Sequence, residues 1–125
     1  MDRPTKTKYY LDIAKVVSER SPCLKMKVGA IIVKDDCILS TGYNGPPRGE
    51  QHCKVCSRLN IEHGESYSKE CPSVHAEENA IINAARYGIP IKGAVLYLYT
   101  GSGIKPCYRC ERAMKNAGII GVVNK

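Results

Sequence analysis

Two stretches constrain how this chain folds more than any others: "SVHAEENAII" at residues 73–82 and "KPCYRCERAMKNAG" at residues 105–118. Each reads as a helix whose inward face begins with chemistry rather than hydrocarbon. Taking every third or fourth position from Glu77 gives Ala80, Ile81, Ala84, Ala85 and Gly88, a small apolar stripe at helical period. Glu77 therefore lies on the face that meets the core, while Glu78 points about 100° away. In the second stretch Cys107 and Cys110 are one turn apart and share a face with Met114 and Ala117. Two thiols thus face inward on one helix, with His75 and a carboxylate facing inward at the start of another.

Buried alone, each of these groups would carry a large desolvation penalty in its ionised form. A bound Zn²⁺ offsets that penalty for the ligands, and one imidazole with two thiolates leaves the fourth tetrahedral position open. Both ligand sets sit at helix N-termini, where free N–H groups and the macrodipole favour thiolate over thiol. Such a site is catalytic in form: a structural zinc is normally closed by four protein ligands, whereas here water can enter, and the metal lowers its pKa towards ~7. Glu77, two residues after His75, then has a reason to be inside, as a proton carrier rather than a ligand. H-x-E alone is a weak signal and C-x-x-C alone a moderate one. In this order, a strand's length of chain apart and with Pro106 ahead of the cysteines, they are specific.

The remaining composition sets the class. The chain has 125 residues, 43% apolar and 25% charged, as expected for one soluble globular domain spanning residues 1–125. "MDRPTKTKYY" has no apolar h-region, and no apolar run approaches the ~20 residues of a membrane span, so a cytoplasmic setting (the host's, if the source is viral) without a membrane partner is expected. A net charge of +7 points to anionic partners. The basic residues are scattered, however, and 6% aromatics leave little for a base-stacking platform, so a phosphate-bearing small molecule is favoured over nucleic acid. Seven cysteines, with the pairs "CKVC" and "CYRC", read as metal or redox residues rather than a disulfide framework. Cys37, in an apolar strand pattern, is expected to be a plain buried cysteine.

The order of elements is α/β. Residues 9–19 fit an amphipathic helix with Leu11, Ile13, Ala14 and Val17 inward, and "VGAIIVKDDCILSTGYNG" fits a hairpin around "KDD". A polar stretch over 46–72 carries His52, Cys53, Cys56, His63 and Cys71. The "HAEENAIINAARYG" helix, a strand "AVLYLY", the cysteine helix and a strand "IIGVV" follow, with Gly88 and Gly118 at the expected helix C-caps.

His75-Ala76-Glu77 followed by Pro106-Cys107-Tyr108-Arg109-Cys110 matches the signature of the zinc-dependent nucleoside and nucleotide deaminases. The resemblance covers nearly the whole chain. "VGA", "GYNGPPRG", the following His52-Cys53 and "VHAEENAI" together are similar to the deoxycytidylate (dCMP) deaminases in particular. That resemblance implies a three-layer α/β/α fold with a mixed central sheet, and hydrolysis of dCMP to dUMP and ammonia for pyrimidine deoxynucleotide supply. By position, His75, Cys107 and Cys110 would bind the catalytic zinc and Glu77 would shuttle protons. Asn44 would hydrogen-bond the sugar, the Ala76 N–H would meet the pyrimidine carbonyl, and Tyr108 would join the substrate contacts. Asn44 in "YNGPP" also suits an ordinary turn.

The resemblance further implies a homo-oligomer, a hexamer first, with dCTP and dTTP as effectors near "GYNG". It also implies a second, structural zinc, whose ligands would include Cys23 and Cys53, with His63 and Cys71 completing the set and Cys56 as the substitute for either. Two departures stand out. "YTGSGIKPC" replaces the short T-L-x-P-C of relatives, which leaves the register of "LYLYT" open and admits dCTP or a modified cytosine nucleotide as substrate. The sequence also stops at "GVVNK", where relatives continue, so the last sheet edge is expected to be bare or covered by a neighbouring subunit. Two other classes share part of the pattern. A polynucleotide deaminase would need a basic and aromatic surface, and a non-enzymatic zinc module would need no Glu77.

Overall fold

Thr5 starts the first helix earlier than the hydrophobic period suggests. Its hydroxyl accepts from the Lys8 N–H at 3.2 Å, and α1 runs over Lys6–Ser18. The computed structural model describes residues 2–57 and 71–125. The hairpin follows as β1 (Gly29–Lys34) and β2 (Cys37–Tyr43), joined by Asp35 and Asp36 with φ of 52° and 60°. Two successive left-handed residues match the right-handed twist of the strands they connect, and Asp tolerates that conformation better than most side chains. Then come α2 (Ala76–Arg86), β3 (Val95–Tyr99), α3 (Tyr108–Asn116) and β4 (Gly121–Asn124).

The strands form one mixed sheet in the order β2-β1-β3-β4: β1 is antiparallel to β2 and β3, and β4 runs parallel to β3 through the α3 crossover. Strand alternation then divides the core in two. Ile31, Val33, Tyr97 and Tyr99 face α1 with Tyr10 and Ala14. Ala30, Ile32, Leu96 and Leu98 face α2 and α3 with Ala80, Cys110 and Met114. The pairings Ala30↔Leu98 and Ile32↔Leu96 fix the register that "YTGSGIKPC" had left open. The result is the expected α/β/α sandwich.

Local details depart from the periodicity. Tyr10 and Ser18 are buried with Leu11 and Ala14, while Ile13 and Val17 are only half-buried. On α2 the buried residues are Ala76, Glu77, Ala80 and Ala84. Ala85 and Gly88 are exposed, because Ala85 is a further 100° around the helix and Gly88 lies beyond its end at φ 66°. Cys37 is exposed, contrary to the buried residue expected: it begins the edge strand β2 opposite exposed Lys34, beside the turn.

β2 and α2 lie unusually close. A methyl group at Gly42 would sit 2.5 Å from the Ala76 carbonyl oxygen and would strike the Ala80 nitrogen, so only glycine permits this approach. Side chains then lock the contact. The Ser40 hydroxyl donates to the Ala80 carbonyl at 2.7 Å, and Asn79 and Asn83 donate to the Tyr43 and Thr41 carbonyls at 2.8 and 2.7 Å. This packing fixes the depth at which the start of α2 enters the molecule.

Candidate active site

His75 and Cys107 are the N-cap residues of α2 and α3. Because both helices pack on the same face of the sheet, their N-termini converge beyond the end of β3. The His75 Nδ1 atom lies 3.4 Å from the Cys107 sulfur and 3.4 Å from the Cys110 sulfur. All three donor atoms lie within 4.8 Å of one another, and among the described residues they form the sole such group of three or more. Tetrahedral Zn²⁺ bonds of about 2.3 Å to sulfur and about 2.05 Å to nitrogen place N and S about 3.6 Å apart, so the spacing fits that ion.

The electrostatics agree. Cys107 and Cys110 are 5% and 0% exposed, and Glu77 is 4% exposed. The hydrogen bond with Cys107 raises the His75 pKa, against the lowering effect of burial. The Cys110 thiol is pushed far up, first by its hydrogen bond with Cys107 and then by burial. Burial likewise raises the Glu77 carboxyl above its ordinary value. Without a metal ion the Cys110 thiol is therefore held protonated, and a divalent cation is what would draw the two thiols into thiolate form.

Glu78 takes no part in that cluster. Its carboxylate reaches back to accept from the His75 N–H at 3.0 Å, one half of a capping box. That bond holds the backbone of His75, while Glu77 on the adjacent face enters the interior as the sequence predicts.

His75, Ala76 and Glu77 line a cavity with Leu98 and Thr100 at the end of β3 and Asn44 just past β2. Asn44 is buried and braced. Its Oδ1 accepts from the Val28 N–H at 2.9 Å, and its Nδ2 donates to the Met26 carbonyl at 3.0 Å. Tyr108 is absent from the wall. It is 48% exposed at the first turn of α3, with the Arg112 guanidinium 5.1 Å from its ring centroid.

Cys23, Cys56 and Cys71 border the same cavity, whereas Cys53 does not, and His63 lies outside the described residues. The wall also contains Lys25, Met26 and Ser73, which the sequence analysis did not single out. They come from irregular segments, where no period marks a residue as facing a site.

A profile of the cytidine and deoxycytidylate deaminase zinc-binding region matches residues 4–124. A protein named deoxycytidylate deaminase from Mycobacterium phage D29 is 37% identical over 129 residues, covering 98% of this chain and 96% of that protein. One of the same name from Schizosaccharomyces pombe is 36% identical over 97% of this chain, but this chain spans only 37% of its length. The crystal structure of dCMP deaminase from the cyanophage S-TIM5 in complex with dCMP and dUMP superimposes with a TM-score of 0.79 at 30% identity, covering 99% of this chain and 83% of that one. An imidazole and two buried thiols at the N-termini of two helices, in a chain matched almost from end to end, make this protein a member of the zinc-binding cytidine and deoxycytidylate deaminase family.

Proposed function

We propose that this chain hydrolyses dCMP to dUMP and ammonia, with His75, Cys107 and Cys110 holding Zn²⁺ and Glu77 carrying the protons. The observation that carries the reading is the burial of Glu77 on the same cavity wall as the ligand histidine. When bound, the zinc ion supplies Lewis-acid activation of the attacking water.

The chain's own residues account for the other steps. Glu77, on the cavity wall beside His75, accepts the proton of the attacking water and delivers it to N3 of the cytosine ring. Protonation at N3 makes C4 electrophilic, so that a C4–O bond forms there. Glu77 then takes the hydroxyl proton and passes it to the amino group as the C4–N bond breaks, and ammonia leaves. Ala76 is the first residue of α2, so its N–H has no carbonyl within the helix to bond and suits the pyrimidine O2. Asn44 supplies the sugar contact from the wall.

A second, structural zinc belongs to the same proposal. Its ligands would be Cys23, Cys53, His63 and Cys71, with Cys56 as the substitute for either of the last two, and metal analysis of Cys53→Ser should show one zinc fewer per chain than wild type. Homo-oligomer formation, with a hexamer first and dCTP or dTTP as effectors, also remains part of this reading. It is supported by exposed Ile120 and Val122 at the outer edge of the sheet. Ammonia release from dCMP, dCTP, cytidine and deoxycytidine tests the substrate. The highest kcat/KM is expected on dCMP, and a clear preference for any of the other three rejects it.

A further inference from the structure

An antiparallel bridge outside the sheet ties the two walls of the site together. Gly45 lies two residues past β2 and Val74 two residues before α2. The Gly45 N–H donates to the Val74 carbonyl at 3.1 Å, and the Val74 N–H donates to the Gly45 carbonyl at 2.8 Å. Because these two residues exchange both bonds, the next pair along, Asn44 and His75, is a non-hydrogen-bonded one. Such pairs bring their side chains closest, with Cα atoms about 4.5 Å apart in a regular ladder. Alternation turns neighbouring pairs to opposite sides. Asn44 and His75 accordingly line the cavity with Glu77, while Gly45 and Val74 line a separate cavity with Pro22. A slip of one residue would set Gly45 against His75 and turn Asn44 out of the site.

Position 45 is tight. A methyl group there would sit 3.0 Å from Cδ and 3.2 Å from Cγ of Pro22, so one side must give by a few tenths of an ångström. Pro22 is held on both flanks. The Ser21 hydroxyl donates to the Asn44 carbonyl at 2.8 Å, and the Cys23 N–H donates to the Ser21 hydroxyl at 3.2 Å. A side chain at position 45 therefore loads the bridge. The span from Asn44 to His75 matters because one substrate molecule crosses it, with its sugar on Asn44 and its reacting carbon beside the metal ligands. Misplacing reacting groups by 1 Å costs about 10²-fold in rate.

We propose that the Gly45–Val74 bridge sets the sugar anchor Asn44 against His75, and that Gly45 is thereby a positioning residue for deamination. This role rests on the deaminase reading above and deepens it.

Gly45→Ala, Pro22→Ala, their double variant and Val74→Pro test the role, through kcat on dCMP per bound zinc and amide hydrogen exchange at Val74. Gly45→Ala should lower kcat per zinc-loaded chain about tenfold, with zinc per chain unchanged. Exchange of the Val74 N–H should speed up in the same variant. Pro22→Ala removes the atoms that the new methyl strikes. The double variant should regain most of the kcat and the slow exchange, while Pro22→Ala alone stays close to wild type. Val74→Pro deletes the donor of the 2.8 Å bond and carries the test where Gly45→Ala does not fold. It should lower kcat with zinc retained, and trimming Pro22 should not restore it. Wild-type kcat in Gly45→Ala or Val74→Pro, or a loss in Gly45→Ala that is equal with and without Pro22→Ala, would overturn the role of the bridge. So would a loss accounted for by missing zinc. Each of these leaves dCMP turnover by the wild type intact, whereas a zinc-loaded wild type inert on dCMP would overturn the substrate reading itself.

Discussion

Glu77 and Glu78 show how much one helical step decides. The two side chains are identical, yet one is 4% exposed on the cavity wall beside His75 and the other closes the N-terminus of its own helix. Glu77→Gln keeps the shape but cannot carry a proton. Turnover should fall by about 10²-fold or more, the scale of general acid–base catalysis, with zinc content and far-ultraviolet circular dichroism unchanged. Glu78→Gln should be mild, because glutamine fills the same place in a capping box. Zinc analysis and kcat for the two variants check this directly. A dead Glu78→Gln beside an active Glu77→Gln would mean that the helix phase is wrong. The phase was legible in the sequence because residues 75–84 obey one period. The exposure of Cys37 was not, because it depends on where the strand ends relative to the helices covering the sheet, which an apolar run does not encode.

At the scale of elements, the contact between β2 and α2 sets the depth of the site. Gly42→Ala places a methyl group against the helix backbone of residues 76–80, with no flexible side chain there to yield. A loss of about 1–3 kcal/mol in urea unfolding is expected, together with a fall in kcat although every functional side chain is still present. Nothing in "ILSTGYNG" announces this role, since a strand glycine has several other causes.

α1 is tied to the hairpin turn differently, by a hydrogen bond from the Tyr10 hydroxyl to the Asp36 carboxylate, with Lys6 3.4 Å from the same carboxylate. The Tyr10 bond, and then Lys6, hold Asp36 below its ordinary pKa, while the Asp36 bond pushes Tyr10 up to about 12. A depressed carboxyl stabilises the fold above its unfolded pKa of about 4 and loses that effect as pH falls through the folded value. A raised phenol stabilises below its unfolded pKa of about 10 and loses the effect as pH rises through the folded one. Tyr10→Phe should therefore lower the unfolding midpoint at neutral pH, and its gap from wild type should narrow below about pH 4 and above about pH 10. Urea midpoints across pH measure it, and a constant gap would reject the linkage.

For the molecule as a whole, the order of helices and strands made the α/β class readable from sequence, and the two helix starts did the same for the clustering of His75, Cys107 and Cys110. The wall of the cavity was less so. Lys25, Met26 and Ser73 reach it from segments whose course is set by bonds such as those of Asn44 to Met26 and Val28, and such bonds leave no period in the sequence. The central claim joins both kinds of information: an ion held by His75, Cys107 and Cys110, next to Glu77, drives deamination of dCMP. Its most direct test is ammonia release from dCMP by metal-stripped protein as zinc is returned. No release without zinc, recovery on adding it, and an inert Glu77→Gln that binds zinc like wild type are predicted. Activity that survives complete stripping, or a fully zinc-loaded wild type that leaves dCMP unchanged, would contradict the account.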